Sequence, residues 1–198
     1  MSGIAMPVPL SLMLFGGSSG SMGLFEEVLK LVKYPPGCAL IFVLHRGKSS
    51  TAHFPELFRN KTDIFMSEPN HLDEIKPNCI YFALPDYHLL IGPDHRFYYD
   101  LSDKDFFSRP SIDATFSSAA VSGIPVRAAL LFSGSSRDGA FGLRLLAEKG
   151  FTTYVLDPAE AGSARMPHEA LKLYDGHQII RRQNFTITIN DILYSKGV

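Results

Sequence analysis

Three side chains in this sequence have the types and placement for acyl transfer: Ser18, His45 and Asp138. A serine hydroxyl attacks an acyl carbon effectively when a base takes its proton. Histidine can do this near neutral pH, and a carboxylate then holds the imidazole tautomer and stabilises its cationic form. Gly16-Gly17-Ser18-Ser19-Gly20 satisfies Gly-x-Ser-x-Gly, whose glycines allow a sharp strand-to-helix turn that exposes the hydroxyl. A helix starting there also aims its free backbone N–H groups at the site, where an oxyanion would form.

The surrounding elements place all three residues at one edge. Leu10 to Phe15 reads as a buried strand and Met22 to Val32 as an amphipathic helix, stopped by Pro35-Pro36-Gly37. Ala39 to Leu44 is a second buried strand, with His45 at its C-terminal end. Ala128 to Phe132 is another, followed by the polar loop Ser133 to Arg137 and a helix that Asp138 opens and that runs to about Lys149. Open parallel sheets carry their sites beyond the C-terminal strand ends, which is where Ser18, His45 and Asp138 fall. Each also has a plainer explanation: Ser18 as a glycine-turn or cap residue, Asp138 as a helix N-cap, His45 as a hydrogen-bonded strand-end histidine. Their shared location favours the catalytic reading over the three plain ones.

The middle of the chain reads differently. Cys79 to Ala83, His88 to Ile91 and Arg96 to Tyr99 are short strand candidates separated by Pro85-Asp86 and Gly92-Pro93-Asp94. These turns suggest a hairpin or meander at an antiparallel edge. Ser111 to Ser122 and Met166 to Leu173 look helical, and Phe151 to Leu156 and Gln178 to Ile180 look like strands. The expected fold is α/β: a modified doubly wound, mostly parallel sheet flanked by helices, with a short antiparallel hairpin edge. One domain over residues 1–198 is expected, with its core at about 8–182 and a tail at 183–198, where Ile189 to Tyr194 reads as one or two helical turns.

Composition narrows the function. Nineteen basic against 20 acidic residues, scattered rather than striped, give no reason to expect nucleic acid as a partner. Cys38 and Cys79 lack zinc-site spacing and read as reduced thiols. The first 15 residues have no basic residue, so no secretory signal is expected, and no apolar run reaches membrane-spanning length. A cytoplasmic location without membrane insertion is the expectation. His53, His71, His95 and His177 are read as surface or structural residues.

Two rivals have different chemistry. α/β-Hydrolases share Gly-x-Ser-x-Gly but run Ser, acid, His; here the order is Ser, His, Asp, and the 17 residues before Ser18 leave no room for that fold's leading strands. The turn Gly17 to Gly23 also resembles the glycine-rich turn of NAD(P)-binding short-chain dehydrogenases, with Arg46 placed to read a 2′-phosphate. That family's Tyr-x-x-x-Lys pair is absent: none of the eight tyrosines has Lys four residues later. A third reading is a catalytically silent binding module.

Several motifs in order resemble the chemotaxis protein-glutamate methylesterases (CheB-type) over about Leu10 to Ile180. They are Gly16 to Gly20, Val43-Leu44-His45, Ile80 to Ala83 with Pro85 to Leu90, Arg109-Pro110-Ser111-Ile112-Asp113, Ser133-Gly134 through Arg137 to Ala140 with Gly142, and Met166-Pro167. The resemblance implies a Ser18–His45–Asp138 triad that hydrolyses γ-glutamyl methyl esters on chemoreceptor cytoplasmic helices. Some members also deamidate receptor glutamines. It implies no metal or organic cofactor. Ser19 stands where the family often has a Thr whose hydroxyl helps hold the histidine. Ser135-Ser136 replaces the usual Met-Gly at a loop whose backbone N–H is assigned to the oxyanion, and Arg46-Gly47 replaces Met-Pro after the histidine. Typical members also carry a receiver domain of ~120 residues, an ordinary domain size, which this length does not accommodate. A separate response-regulator domain or protein is the expected substitute, and Arg46 and Arg137 are candidates for attracting an acidic receptor segment.

Overall fold

The computed structural model describes residues 9–45 and 53–194. In chain order the elements are β1 (Leu12–Gly17), α1 (Met22–Leu31), β2 (Ala39–Leu44), α2 (Phe54–Leu57), β3 (Met66–Ser67), β4 (Ile80–Phe82), β5 (His88–Ile91), β6 (Phe97–Asp100), α3 (Ile112–Val121), β7 (Val126–Leu131), α4 (Ala140–Glu148), β8 (Thr153–Leu156), α5 (Arg165–Leu173), β9 (Gln178–Ile180) and α6 (Phe185–Tyr194). Seven strands make one parallel sheet in the order β3-β4-β2-β1-β7-β8-β9.

The central strands are apolar throughout because both faces are covered. Leu12 and Leu14 of β1 face a core completed by Phe116 of α3, Leu143 of α4 and Met166 of α5. Met13 and Phe15 face the other side, against Phe25 of α1 and Phe185 and Ile189 of α6. Phe15 stacks on Phe42 of β2 at 4.5 Å between ring centroids. The chain winds outward from β1 through β2 to β4, then returns to place β7 on the other flank of β1. The gap between β1 and β7 is therefore the topological switch point, where ligand sites of doubly wound sheets lie.

Three details differ from the sequence reading. Ile80–Phe82 joins the parallel sheet beside β2. The β5–β6 hairpin forms its own two-stranded sheet and leans on α3, where Thr115 Oγ1 donates to Leu89 O at 2.7 Å and Ile91 N to Ser118 Oγ at 3.0 Å. The core also runs past residue 182: Phe185, Ile189 and Leu193 are fully buried along one stripe of α6.

Candidate active site

Strand register brings Ser18 and His45 side by side. Gly17 pairs with Leu44 across β1 and β2, so Ser18 and His45 are the next residues along the two strands. His45 N donates to Gly17 O at 3.1 Å, and Ser18 N donates across the switch point to Ser133 O at 2.7 Å. Ser21 fastens the same junction: its hydroxyl donates to Ser133 O at 2.8 Å and accepts from Ser133 N at 3.0 Å. Ser18 itself does not cap α1. It is half-buried, and its hydroxyl has no hydrogen-bond partner among the described residues.

Asp138 reaches His45 from the β7–α4 loop. The Nε2–H of His45 donates to Asp138 Oδ2 at 2.6 Å. The carboxylate is fully buried, yet well provided with donors. Ile112 N donates to Oδ2 at 2.7 Å, while Asp113 N and Ser111 Oγ donate to Oδ1 at 2.9 and 3.0 Å. Asp138 thus sits as an anion on the positive N-terminus of α3. It does not open α4, as the sequence suggested: Gly139, at φ +93°, is the N-cap of that helix. That left-handed backbone, which glycine adopts without strain, turns the chain so that Asp138 points back to α3.

The motif segments around residues 85–88 and 109–113 hold the start of α3 in place. Asp86 N donates to Arg109 O at 3.0 Å, and the Arg109 guanidinium pairs with Asp86 at 3.1 Å. Ser111 N donates to Nδ1 of buried His88 at 3.1 Å, which places the ring proton on Nε2, facing Asp103 O at 3.1 Å. Ser111 Oγ, while donating to Asp138, also accepts from Ala114 N at 3.1 Å and so caps α3. Burial, reinforced by the nearby Asp138 charge, pushes the Asp113 carboxyl up to about 7, against the opposing N–H groups of Gly142 and Gly139.

The loop after β7 passes directly over Ser18. A Cβ at Gly134 would lie 3.0 Å from Ser18 Cβ and 2.3 Å from Met166 Cε, so a larger residue there would push on both side chains. Among the described residues, the backbone N–H groups of Ser19, Ser135 and Ser136 have no protein acceptor. Ser19 and Ser135 are both exposed. The Ser19 hydroxyl makes no hydrogen bond to His45; the Nδ1 partner is Ser108, whose Oγ lies 3.1 Å away. Sequence reasoning missed Ser108. Its one signal was its position next to Arg109-Pro110-Ser111, and its separation of 63 residues from His45 concealed the pairing. Arg46 and Gly47 lie outside the described residues. Beside this edge a cleft of about 590 Å³ is lined by Phe106, Phe107, Ser135, Arg137 and Arg165 among others. No described group of three or more His, Cys, Asp or Glu side chains gathers to hold a metal.

The CheB methylesterase family model matches residues 13–186, which contain all three site residues. The chain belongs to the CheB methylesterase family. A putative protein-glutamate methylesterase/protein-glutamine glutaminase of Leptospira interrogans is 31% identical over 157 residues, covering 79% of this chain and 81% of that protein. The protein-glutamate methylesterase FrzG of Myxococcus xanthus is 27% identical over 174 residues, 88% of this chain, which spans about half (52%) of FrzG. The crystal structure of the Thermotoga maritima CheB methylesterase catalytic domain superposes with a TM-score of 0.76 at 20% identity, covering 92% of this chain and 98% of that one. That likeness gives the CheB fold to the sheet and helices described above.

Proposed function

We propose that Ser18, His45 and Asp138 are the nucleophile, general base and orienting acid of a methylesterase acting on γ-glutamyl methyl esters of chemoreceptor helices. Asp138 accepts the Nε2 proton of His45, so Nδ1 carries the lone pair that takes the proton from Ser18. The Ser18 oxygen then bonds to the ester carbonyl carbon. Backbone N–H groups of Ser19 and Ser135 receive the oxyanion. Collapse expels methanol with the proton from His45 Nδ1. Water, deprotonated by the same nitrogen, then cleaves the acyl-enzyme to leave glutamate and free Ser18. The observation that carries this reading is the 2.6 Å His45–Asp138 contact beside Ser18 at the sheet's switch point.

A γ-carboxamide presents the same carbonyl with ammonia as the leaving group, so deamidation of receptor glutamines is a second reaction open to the site. The two-activity name of the Leptospira relative favours testing it. No helix among the described residues is long and apolar enough to cross a membrane. The proposed setting is the cytoplasm, with the receptor's cytoplasmic helices as substrate and a response-regulator domain or protein as the source of control. The test is methanol release from methylated chemoreceptor membranes by the wild type and by Ser18→Ala. Release by the wild type alone is expected. Equal release by Ser18→Ala would remove the nucleophile assignment.

A further inference from the structure

The loop entering α3 has a feature the triad chemistry does not use. Ser108 N donates to Asp105 O at 2.7 Å, closing a four-residue turn. Its central residues, Phe106 and Phe107, have φ of 47° and 65°. Two successive positive φ values are the pattern of a type I′ turn, which Asn and Gly adopt freely and aromatic residues do not. Strained backbone of this kind persists at sites where it serves a function. Phe107 is 96% exposed at the tip, and the Arg137 guanidinium lies 4.6 Å from the centroid of the Phe106 ring.

From this same turn the Ser108 hydroxyl reaches His45 Nδ1 at 3.1 Å. Asp138 already takes the Nε2 proton, so Ser108 is the donor and Nδ1 the acceptor. That nitrogen has one lone pair, and the reaction requires it for Ser18. Ser108 and Ser18 therefore compete for one base. The geometry also connects the turn to substrate. The cleft lined by Phe106, Phe107, Ser135, Arg137 and Arg165 has walls one residue away from Ser108, Gly134 and Met166. Ser108 touches His45, Gly134 lies against Ser18, and Met166 lies against Gly134.

We propose that Ser108 occupies the base nitrogen of His45 in the free protein, and that a polypeptide substrate seating on Phe106 and Phe107 withdraws it and hands His45 to Ser18. This rests on the reading of Ser18 as nucleophile. A small ester reaches Ser18 without engaging the turn and meets a base already occupied. A protein substrate clears the base as it docks. Ser108 is thus a positioning residue that favours protein substrates over small esters.

The test compares kcat, at saturating substrate, for 4-nitrophenyl acetate with kcat for methanol release from methylated chemoreceptor membranes. A bound small ester still meets the Ser108 contact whereas a docked protein substrate has already broken it. Ser108→Ala therefore raises the small-ester kcat about threefold to tenfold, the equivalent of one lost hydrogen bond, and the protein-to-small-ester ratio falls by that factor. Phe107→Ala lowers the same ratio from the other side, by slowing the protein substrate. Ser108→Thr keeps a hydroxyl and keeps the wild-type ratio. Equal slowing of both substrates by Ser108→Ala, or an unmoved ratio in a variant with a normal melting curve, overturns the proposal. Ser18→Ala separates the two claims. If it retains turnover, the nucleophile reading falls and the proposal falls with it. If it loses turnover while Ser108→Ala leaves the ratio unmoved, the turn proposal alone falls.

Discussion

Asp138 is fully buried and accepts four hydrogen bonds, from His45, Ile112, Asp113 and Ser111, whereas Ser18 is half-buried and its hydroxyl has no partner among the described residues. The two ends of one constellation are thus built on opposite principles. A buried carboxylate is costly unless donors satisfy it, so the acid end is over-determined by a helix terminus and its cap. On the proposed reading Ser18 is the nucleophile and must move from base to substrate, which suits an end left open. His45 stands between the two ends, its ring held on one side by Asp138 and touched on the other by Ser108.

The most severe way to break this contrast is Asp138→Asn. The amide cannot accept on both atoms, so donors of α3 lose partners and the imidazole loses its counter-charge. We expect kcat to fall on the order of 10³–10⁴-fold, the scale seen when an orienting carboxylate becomes an amide, with the melting temperature lowered as well. Steady-state methanol release and calorimetry read the two effects. A smaller loss comes from Gly134→Ala, which pushes a methyl group against Met166 and Ser18. Displacing Ser18 should cost about tenfold to a hundredfold in kcat with a stability change of about 1–3 kcal/mol, measured by kinetics and urea unfolding. Ser111→Ala removes both the α3 cap and one donor to Asp138. It should destabilise by about 1–2 kcal/mol, and a variant with unchanged stability would show that the acid end is less constrained than described.

The smallest net effect in the wild type concerns pH, because two groups oppose one another. Asp113 is held up at about 7 by burial and by Asp138. The folded state then keeps a proton that the unfolded chain releases near 4, so stability falls as pH rises from about 4 to 7. Burial pushes His177 down to about 4. The unfolded chain protonates first there, so stability rises with pH from about 4 to 6.5. The two slopes oppose one another across most of that range. Asp113→Asn should expose the rising His177 slope, and His177→Gln the falling Asp113 slope, in unfolding curves collected from pH 4 to 7.5.

Much of this was legible in the sequence. Ala39–Leu44, His88–Ile91 and Gln178–Ile180 are strands over the residues their apolar runs marked, because compact runs between turn signals leave little choice. The placement of Ser18, His45 and Asp138 at one edge followed from strand order alone. Three things did not follow. The four-residue α2 and two-residue β3 are too short for any periodicity. Helix α6 reads Phe-Thr-Ile-Thr-Ile, a β-branched alternation that suits a strand until packing buries Phe185, Ile189 and Leu193 on one stripe. The partners of Asp138 lie 25–27 residues away at the start of another helix, and Ser108 lies 63 residues from His45. Such contacts are set by tertiary placement, which local patterns do not encode.

The central claim is that Ser18 carries the acyl group and that His45, held by Asp138, activates it. Stoichiometric labelling with a serine-directed fluorophosphonate, followed by peptide mass mapping, tests it most directly. The adduct should fall on Ser18, disappear in Ser18→Ala and form far more slowly in Asp138→Asn. An adduct on Ser108, or labelling undiminished in Ser18→Ala, would contradict the account.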